Sequence, residues 1–379
     1  MNKNGLYLHI PFCKSKCFYC DFYSVEQTSL KEEWLEALLQ ELSVEPAFLG
    51  TERPVLRTVY FGGGTPSQLT SDEFAQIFAA IEASFDLSEC EEITLEANPD
   101  DLTPAYISML RSFPFNRISI GVQSFLDTEL LAINRRHTAV AAAEAIMECA
   151  RQGFENISLD LMYGLPGQTV ESFLRSVHQA VALPVKHISS YSLSWEEGSV
   201  LYSKLQNGAL KEASEELSEA CFFGMKDLLE KAGFEHYELS NFAWEGYHSK
   251  HNSSYWDGSS YLGVGPGAHS YHARVRRFNP PSLKRYIEGM SKGLDFRETE
   301  ELDAPTRYND FIITRLRTIQ GMNLKELAEQ FGAPMMDYCL KNALVSLHNG
   351  TLRMEGGWLT LTRKGMFVSD AVMSDLLDV

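Results

Sequence analysis

The chain has 379 residues, 44% of them hydrophobic, enough for a large core and more than one folding unit. A formal net charge of −18 repels phosphate backbones and counts against nucleic acid as a main partner. Seven cysteines without framework spacing exclude a secreted disulfide scaffold, and no apolar run approaches the ~20 residues of a membrane span.

LYLHI (6–10) reads as a first apolar strand, too short and too polar for a secretory signal, so the expected location is cytoplasmic. TSLKEEWLEALLQEL follows as a helix, with Ser29 and Glu32 at capping-box spacing and Trp34, Leu35, Leu38, Leu39 and Leu42 on one face. TVYF (58–61) runs into Gly62, Gly63 and Gly64, then a helix entered through Thr70 and Glu73. EITLEAN (92–98) precedes a helix begun by Thr103 with Pro104 at its first position. RISIGVQ (117–123), NISLDLMYG (156–164) and HISSYSLS (187–194) each lead into helical periodicity.

Six such units through residue 232 predict an α/β fold with a parallel sheet and helices outside it. Polar groups collect at successive strand ends: the cysteines, then GGGTP, then Glu96, Gln123, and finally Asp160 with Tyr163. A shared rim favours a partial (β/α)6 barrel over a doubly wound sheet, whose ligand groups meet only at a switch point. Residues 233–300 lose helical period and turn rich in histidine, aromatics and glycine, an α+β extension of the barrel. Residues 301–379 read as three helices and a hairpin, a small C-terminal winged-helix-like domain. From Arg307 onward it carries eight basic and eight acidic residues, which suits protein contact or lid packing better than DNA reading. The basic cluster Arg274, Arg276 and Arg277 reads as a solvated loop edge.

HIPFCKSKCFYC (9–20) crowds Cys13, Cys17 and Cys20 into eight positions. Three thiols cannot all pair as disulfides. Thiolates bind zinc or iron–sulfur clusters, but structural zinc wants four ligands, and His9, the one nearby candidate, lies within the first strand. A [4Fe–4S] cluster ordinarily takes four cysteines, so three leave one iron open. GGGTP is no P-loop, and its glycines let backbone approach a ligand closely. Glu96, at the end of the third strand, is a carboxylate able to accept from two hydroxyls. Further on, HNSSYW (251–256) sets His251 beside Tyr255 and Trp256, in an irregular stretch where histidines commonly bond backbone carbonyls. His248, His269 and His272 crowd the same region.

C-x3-C-x2-C after a first strand resembles the radical S-adenosylmethionine (SAM) superfamily. YLHIPFC, CDFYS, VYFGGGTPS, LEANP, SIGVQSF, LDLMYGLPGQT and HNSSYW together resemble its coproporphyrinogen III oxidase-like branch, and HNSSYW in particular the HemW-type haem chaperones of that branch. The resemblance implies a [4Fe–4S] cluster on Cys13, Cys17 and Cys20, with SAM seated on the open iron. It implies a SAM site shaped by Tyr7, Tyr19, Gly63, Gly64, Thr65, Glu96, Gln123, Arg135 and Asp160, and haem contacted by His251. It further implies haem-accepting partner proteins and an electron donor, and it is compatible with a homodimer. No residue is assigned a catalytic role. Two departures count against the oxygen-independent oxidase, which turns propionates into vinyl groups. Phe22 stands where the oxidase has a further cysteine, and Tyr7 lies almost at the chain's start where the oxidase has a long leading segment. A zinc-stabilised α/β protein is the remaining alternative.

Overall fold

In the computed structural model, which describes residues 4–378, the parallel strands follow chain order. β1 (Asn4–Ile10), β2 (Leu56–Gly63), β3 (Glu92–Ala97), β4 (Arg117–Gln123), β5 (Asn156–Tyr163) and β6 (His187–Ser192) each pair in parallel with the next. Order without reversal means every right-handed crossover places its helix on the same face. The expected partial barrel is present, and it does not close. β7 (Glu235–Glu238) and β8 (Asn241–Ala243) form a hairpin whose second strand joins β6. At the other edge, β9 (Tyr261–Val264) runs parallel to β1, and β10 (His269–His272), β11 (Val275–Phe278) and β12 (Glu298–Glu301) continue antiparallel. The stretch expected as an α+β extension thus supplies both flanks of one twelve-stranded sheet.

Period-two alternation sorts the barrel's two faces. Val59, Phe61, Ile93, Leu95, Ile118, Ile120, Ile157, Leu159 and Ile188 belong to the main core under the helices. The residues between them, including Thr58, Thr94, Arg117, Ser119, Ser158, His187 and Ser189, are buried polar groups facing the lumen. The first helix, Lys31–Val44, buries Trp34, Leu35, Leu38 and Leu42, with Leu39 partly covered. Its expected capping box is not formed. The N-cap is Leu30, with no side-chain bond, and Lys31 anchors this end instead through Glu73 (2.7 Å) and the Gln68 carbonyl (2.9 Å). The Thr70–Glu73 capping box and the Thr103 cap ahead of Pro104 are both present.

The C-terminal part has the expected order of helices Ala304–Leu316, Leu324–Phe331 and Ala333–His348, then a hairpin. β13 (Met322–Asn323), β14 (Leu352–Glu355) and β15 (Trp358–Leu361) make a three-stranded sheet, with β15 central. A separate core of Tyr308, Phe311, Ile312, Leu316, Leu327, Cys339 and Leu359 holds it together. Two residues of the basic cluster are neutralised, Arg276 by Asp310 (2.7 Å) and Glu300 (3.5 Å), Arg277 by Glu45. Among the described residues no helix is long and apolar enough to cross a membrane.

Candidate functional site

The loop after β1 is pinned at both ends. The Cys13 amide donates to the Val25 carbonyl (3.0 Å), and the Val25 amide donates to Pro11 (2.7 Å). Its middle is stitched across to the far side of the barrel: Phe18 donates to the Ile133 carbonyl (3.1 Å), and Asn134 Nδ2 to the Lys16 carbonyl (2.9 Å). Asn134 takes the left-handed conformation (φ 61°), which asparagine tolerates better than most residues. Cys13, Cys17 and Cys20 stay unpaired and half-buried. They line a cavity of about 400 Å3 at the C-terminal end of the strands, together with Tyr19, Gly63, Gly64, Thr65, Glu96, Gln123, Arg135 and Asp160.

Packing within the protein also requires these glycines. A Cβ on Gly62 would lie 2.9 Å from the rings of Tyr7 and Tyr60, one on Gly63 2.7 Å from the His9 ring, and one on Gly64 2.8 Å from the Ile10 carbonyl oxygen. The end of β2 is therefore packed hard against β1, and Gly63 also holds φ at 106°. Gln123 sits at a bulge in β4 with φ of 69°, a strained position for a non-glycine residue at the rim.

Polar contacts knit the rim together. Thr65 Oγ1 donates to Cys13 Sγ (3.3 Å), and Asn98 Nδ2 donates to Thr65 Oγ1 (3.3 Å). Arg135 donates to Cys17 Sγ (3.4 Å), to Asn98 Oδ1 (2.7 Å) and to the Gly121 carbonyl, while its Nε is buried without a partner. Tyr60 donates to Glu96 Oε1 (2.6 Å). Burial raises the Glu96 carboxyl to about 7, and Asp160 nearby pushes the same way against the Tyr60 bond. Burial likewise lifts Asp160 to about 6, against the Ser189 bond and the charges of Arg117 and Arg135. Burial pushes the Cys13 thiol up and the Cys20 thiol up to about 11, so ligation has to displace their protons.

Two expected rim residues lie elsewhere. Tyr7 sits one layer down, its hydroxyl against His9 Nδ1 (3.2 Å) and its ring stacked on Tyr60. Tyr163 is an odd number of positions from Asp160, so it faces outward and packs on Phe173. Asn98 and Asn134 were missed by sequence reasoning. Asn98 was detectable, because it shares the Glu96 face two positions on.

Among the described residues, no group of three or more His, Cys, Asp or Glu side chains converges as a single ion requires. Thiolates of a four-iron cluster bind different irons and line a volume instead. Three thiols spread along one cavity wall fit a cluster.

Residues 7–180 match the radical SAM superfamily, and residues 302–368 match the HemN C-terminal domain. The protein named heme chaperone HemW in Bacillus subtilis (strain 168) is 35% identical over 98% of both chains. Its namesake in Lactococcus lactis (strain IL1403) is 36% identical over 86% of this chain and 85% of its own. The chain belongs to the HemW family of the radical SAM superfamily. Also similar is the mitochondrial radical S-adenosyl methionine domain-containing protein 1 of Bos taurus, 32% identical over 98% of this chain and 87% of that one. The solved structure of coproporphyrinogen III oxidase (HemN) from Escherichia coli superposes with a TM-score of 0.85, covering 99% of this chain and 90% of that one. At 21% identity that likeness speaks for the fold alone.

In this HemW-family chain the HNSSYW stretch forms a helix, Lys250–Asp257, at the opposite mouth of the barrel. Glu92, at the start of β3, accepts from the amides of Lys250 (2.9 Å) and His251 (3.0 Å). His251 is 1% exposed, with Nδ1 against Thr58 Oγ1 (2.8 Å), Nε2 against the Tyr255 hydroxyl (2.9 Å) and its ring stacked on Tyr60. Burial, aided by Arg117, lowers it to about 3, so the imidazole is neutral. Bonding haem iron through His251 would mean giving up one of those two hydrogen bonds. His248 pairs with Glu235 (3.0 Å), His272 with Ser260 (3.0 Å), and His269 stacks on Phe278.

Proposed function

We propose that this chain is a cytoplasmic haem chaperone that holds a [4Fe–4S] cluster on Cys13, Cys17 and Cys20, binds SAM and haem, and hands haem to acceptor proteins. The observation that carries this reading is the gathering of three unpaired thiols, the half-buried Arg135 and the carboxylates of Glu96 and Asp160 around one cavity. The chain that does so is similar end to end to proteins named heme chaperone HemW. When bound, the cluster supplies one electron to SAM through the iron left open by the missing fourth thiolate.

The chain's own groups take complementary roles. Glu96 accepts from the ribose hydroxyls, and Arg135, with Nε unspent, meets the methionyl carboxylate. Backbone at Gly63, Gly64 and Thr65 takes the amino end, with Gln123 and Asp160 completing the wall. Tyr19 shields the thiols from water, and Tyr7 supports Tyr60 from below. Seven unpaired cysteines suit a reducing compartment.

The porphyrinogen oxidase reading rests on motif blocks shared across the branch and on likeness of fold, whereas Phe22, 64% exposed at the cavity, stands where the oxidase pattern has a further cysteine. Anaerobic incubation of the reconstituted chain with coproporphyrinogen III, SAM and a reductant separates the two. The chaperone reading predicts no vinyl product, together with saturable haem binding followed at the Soret band. Conversion over many turnovers would overturn it.

A further inference from the structure

A second cavity, of about 500 Å3, opens between the HNSSYW helix, the β10–β11 hairpin and the first two C-terminal helices. Its wall is aromatic, with Tyr255 and Trp256 from the motif, Tyr261 and Tyr271 from the sheet, and Phe311 and Phe331 from the C-terminal domain. Four arginines also line it. Arg276 is spent on Asp310 (2.7 Å), and Arg315 on Glu326 (2.7 Å) and the Trp256 carbonyl. Arg274 and Arg307 have no carboxylate partner among the described residues, although acidic side chains outnumber basic ones by 51 to 33. Asp257 is occupied by the Ser259 amide (2.9 Å).

Arg274 and Arg307, without carboxylate partners although Arg307 Nε donates to the Asp303 carbonyl (3.4 Å), match on this aromatic slot a flat apolar ring that carries carboxylates. His251 lies on the barrel side of the same helix and reaches this space only through Tyr255. Resting on the chaperone reading, we propose that this cavity is the haem site, with the propionates on Arg274 and Arg307 and the C-terminal domain as one wall. On this account His251 is a positioning residue for Tyr255.

The test is an anaerobic titration of the full-length, cluster-reconstituted chain with haem and, separately, with iron-free protoporphyrin IX. Wild type is compared with the double variant Arg274→Glu, Arg307→Glu and with Thr314→Trp, which fills the cavity from its lining. Arg274 is exposed and Arg307 half-buried, so the charge reversals spare the core. Both variants should bind both ligands at least about tenfold more weakly with cluster absorbance unchanged, because the contacts recognise carboxylates and ring rather than iron. Wild-type affinity in either variant would overturn this placement while leaving haem binding intact. No binding by wild type would overturn the chaperone reading along with it.

Discussion

Gly63 shows how closely the end of β2 is fitted to its neighbour. Its φ of 106° lies where side chains are strained, and a Cβ would meet His9 at 2.7 Å. Gly63→Ala should cost about 2–3 kcal/mol, seen as a lowered melting temperature. Glycine at a strand end was visible in the sequence, but this packing against His9 was not, because His9 and Gly63 meet through strand pairing. Glu96 gives a pH signature. Its folded carboxyl titrates at about 7 against an ordinary 4.5, so the folded state holds a proton that the unfolded chain has released. The cluster-free chain should therefore lose about 1–2 kcal/mol as pH rises from about 4.5 to 7. Glu96→Gln should remove that part of the slope in urea titrations at pH 5 and 7.5. Asp160, raised to about 6, adds a smaller fall of the same sign.

At the scale of elements, the six strands were legible because period-two alternation is local: R-I-S-I-G-V-Q already separates the core face from the lumen face. The shared rim followed from those strands, and with it the cavity side of Cys13, Glu96, Gln123 and Asp160. The flanks were not legible, since β9 pairs with β1 across some 250 residues of chain and no local period announces such a partner. Nor was the burial of His251, which depends on Thr58 and Glu92 from two other strands. Glu92, itself 2% exposed, holds the N-terminal amides of the motif helix. Glu92→Ala should leave those donors and the nearby Arg117 uncompensated, costing about 2–4 kcal/mol. A lower urea midpoint with an unchanged slope would confirm a stability effect; an unchanged midpoint would show that the helix does not depend on this cap.

Across the whole molecule, one sheet links two candidate sites at opposite mouths of a barrel. The three-thiol cavity lies at one mouth and the HNSSYW helix at the other, and the lumen contacts His251–Tyr60–Glu96 run between them. The C-terminal domain packs beside the second cavity with its own core, an arrangement that its neutral charge and helix order foreshadowed only in outline. The central claim is that three thiolates hold a cluster whose fourth iron is free for SAM. Electron paramagnetic resonance of the anaerobically reconstituted and reduced chain, recorded with and without SAM, tests it most directly. The account predicts a cluster signal that shifts when SAM is added and that is lost in Cys17→Ser. A signal indifferent to SAM, or a cluster retained in Cys17→Ser, would contradict it.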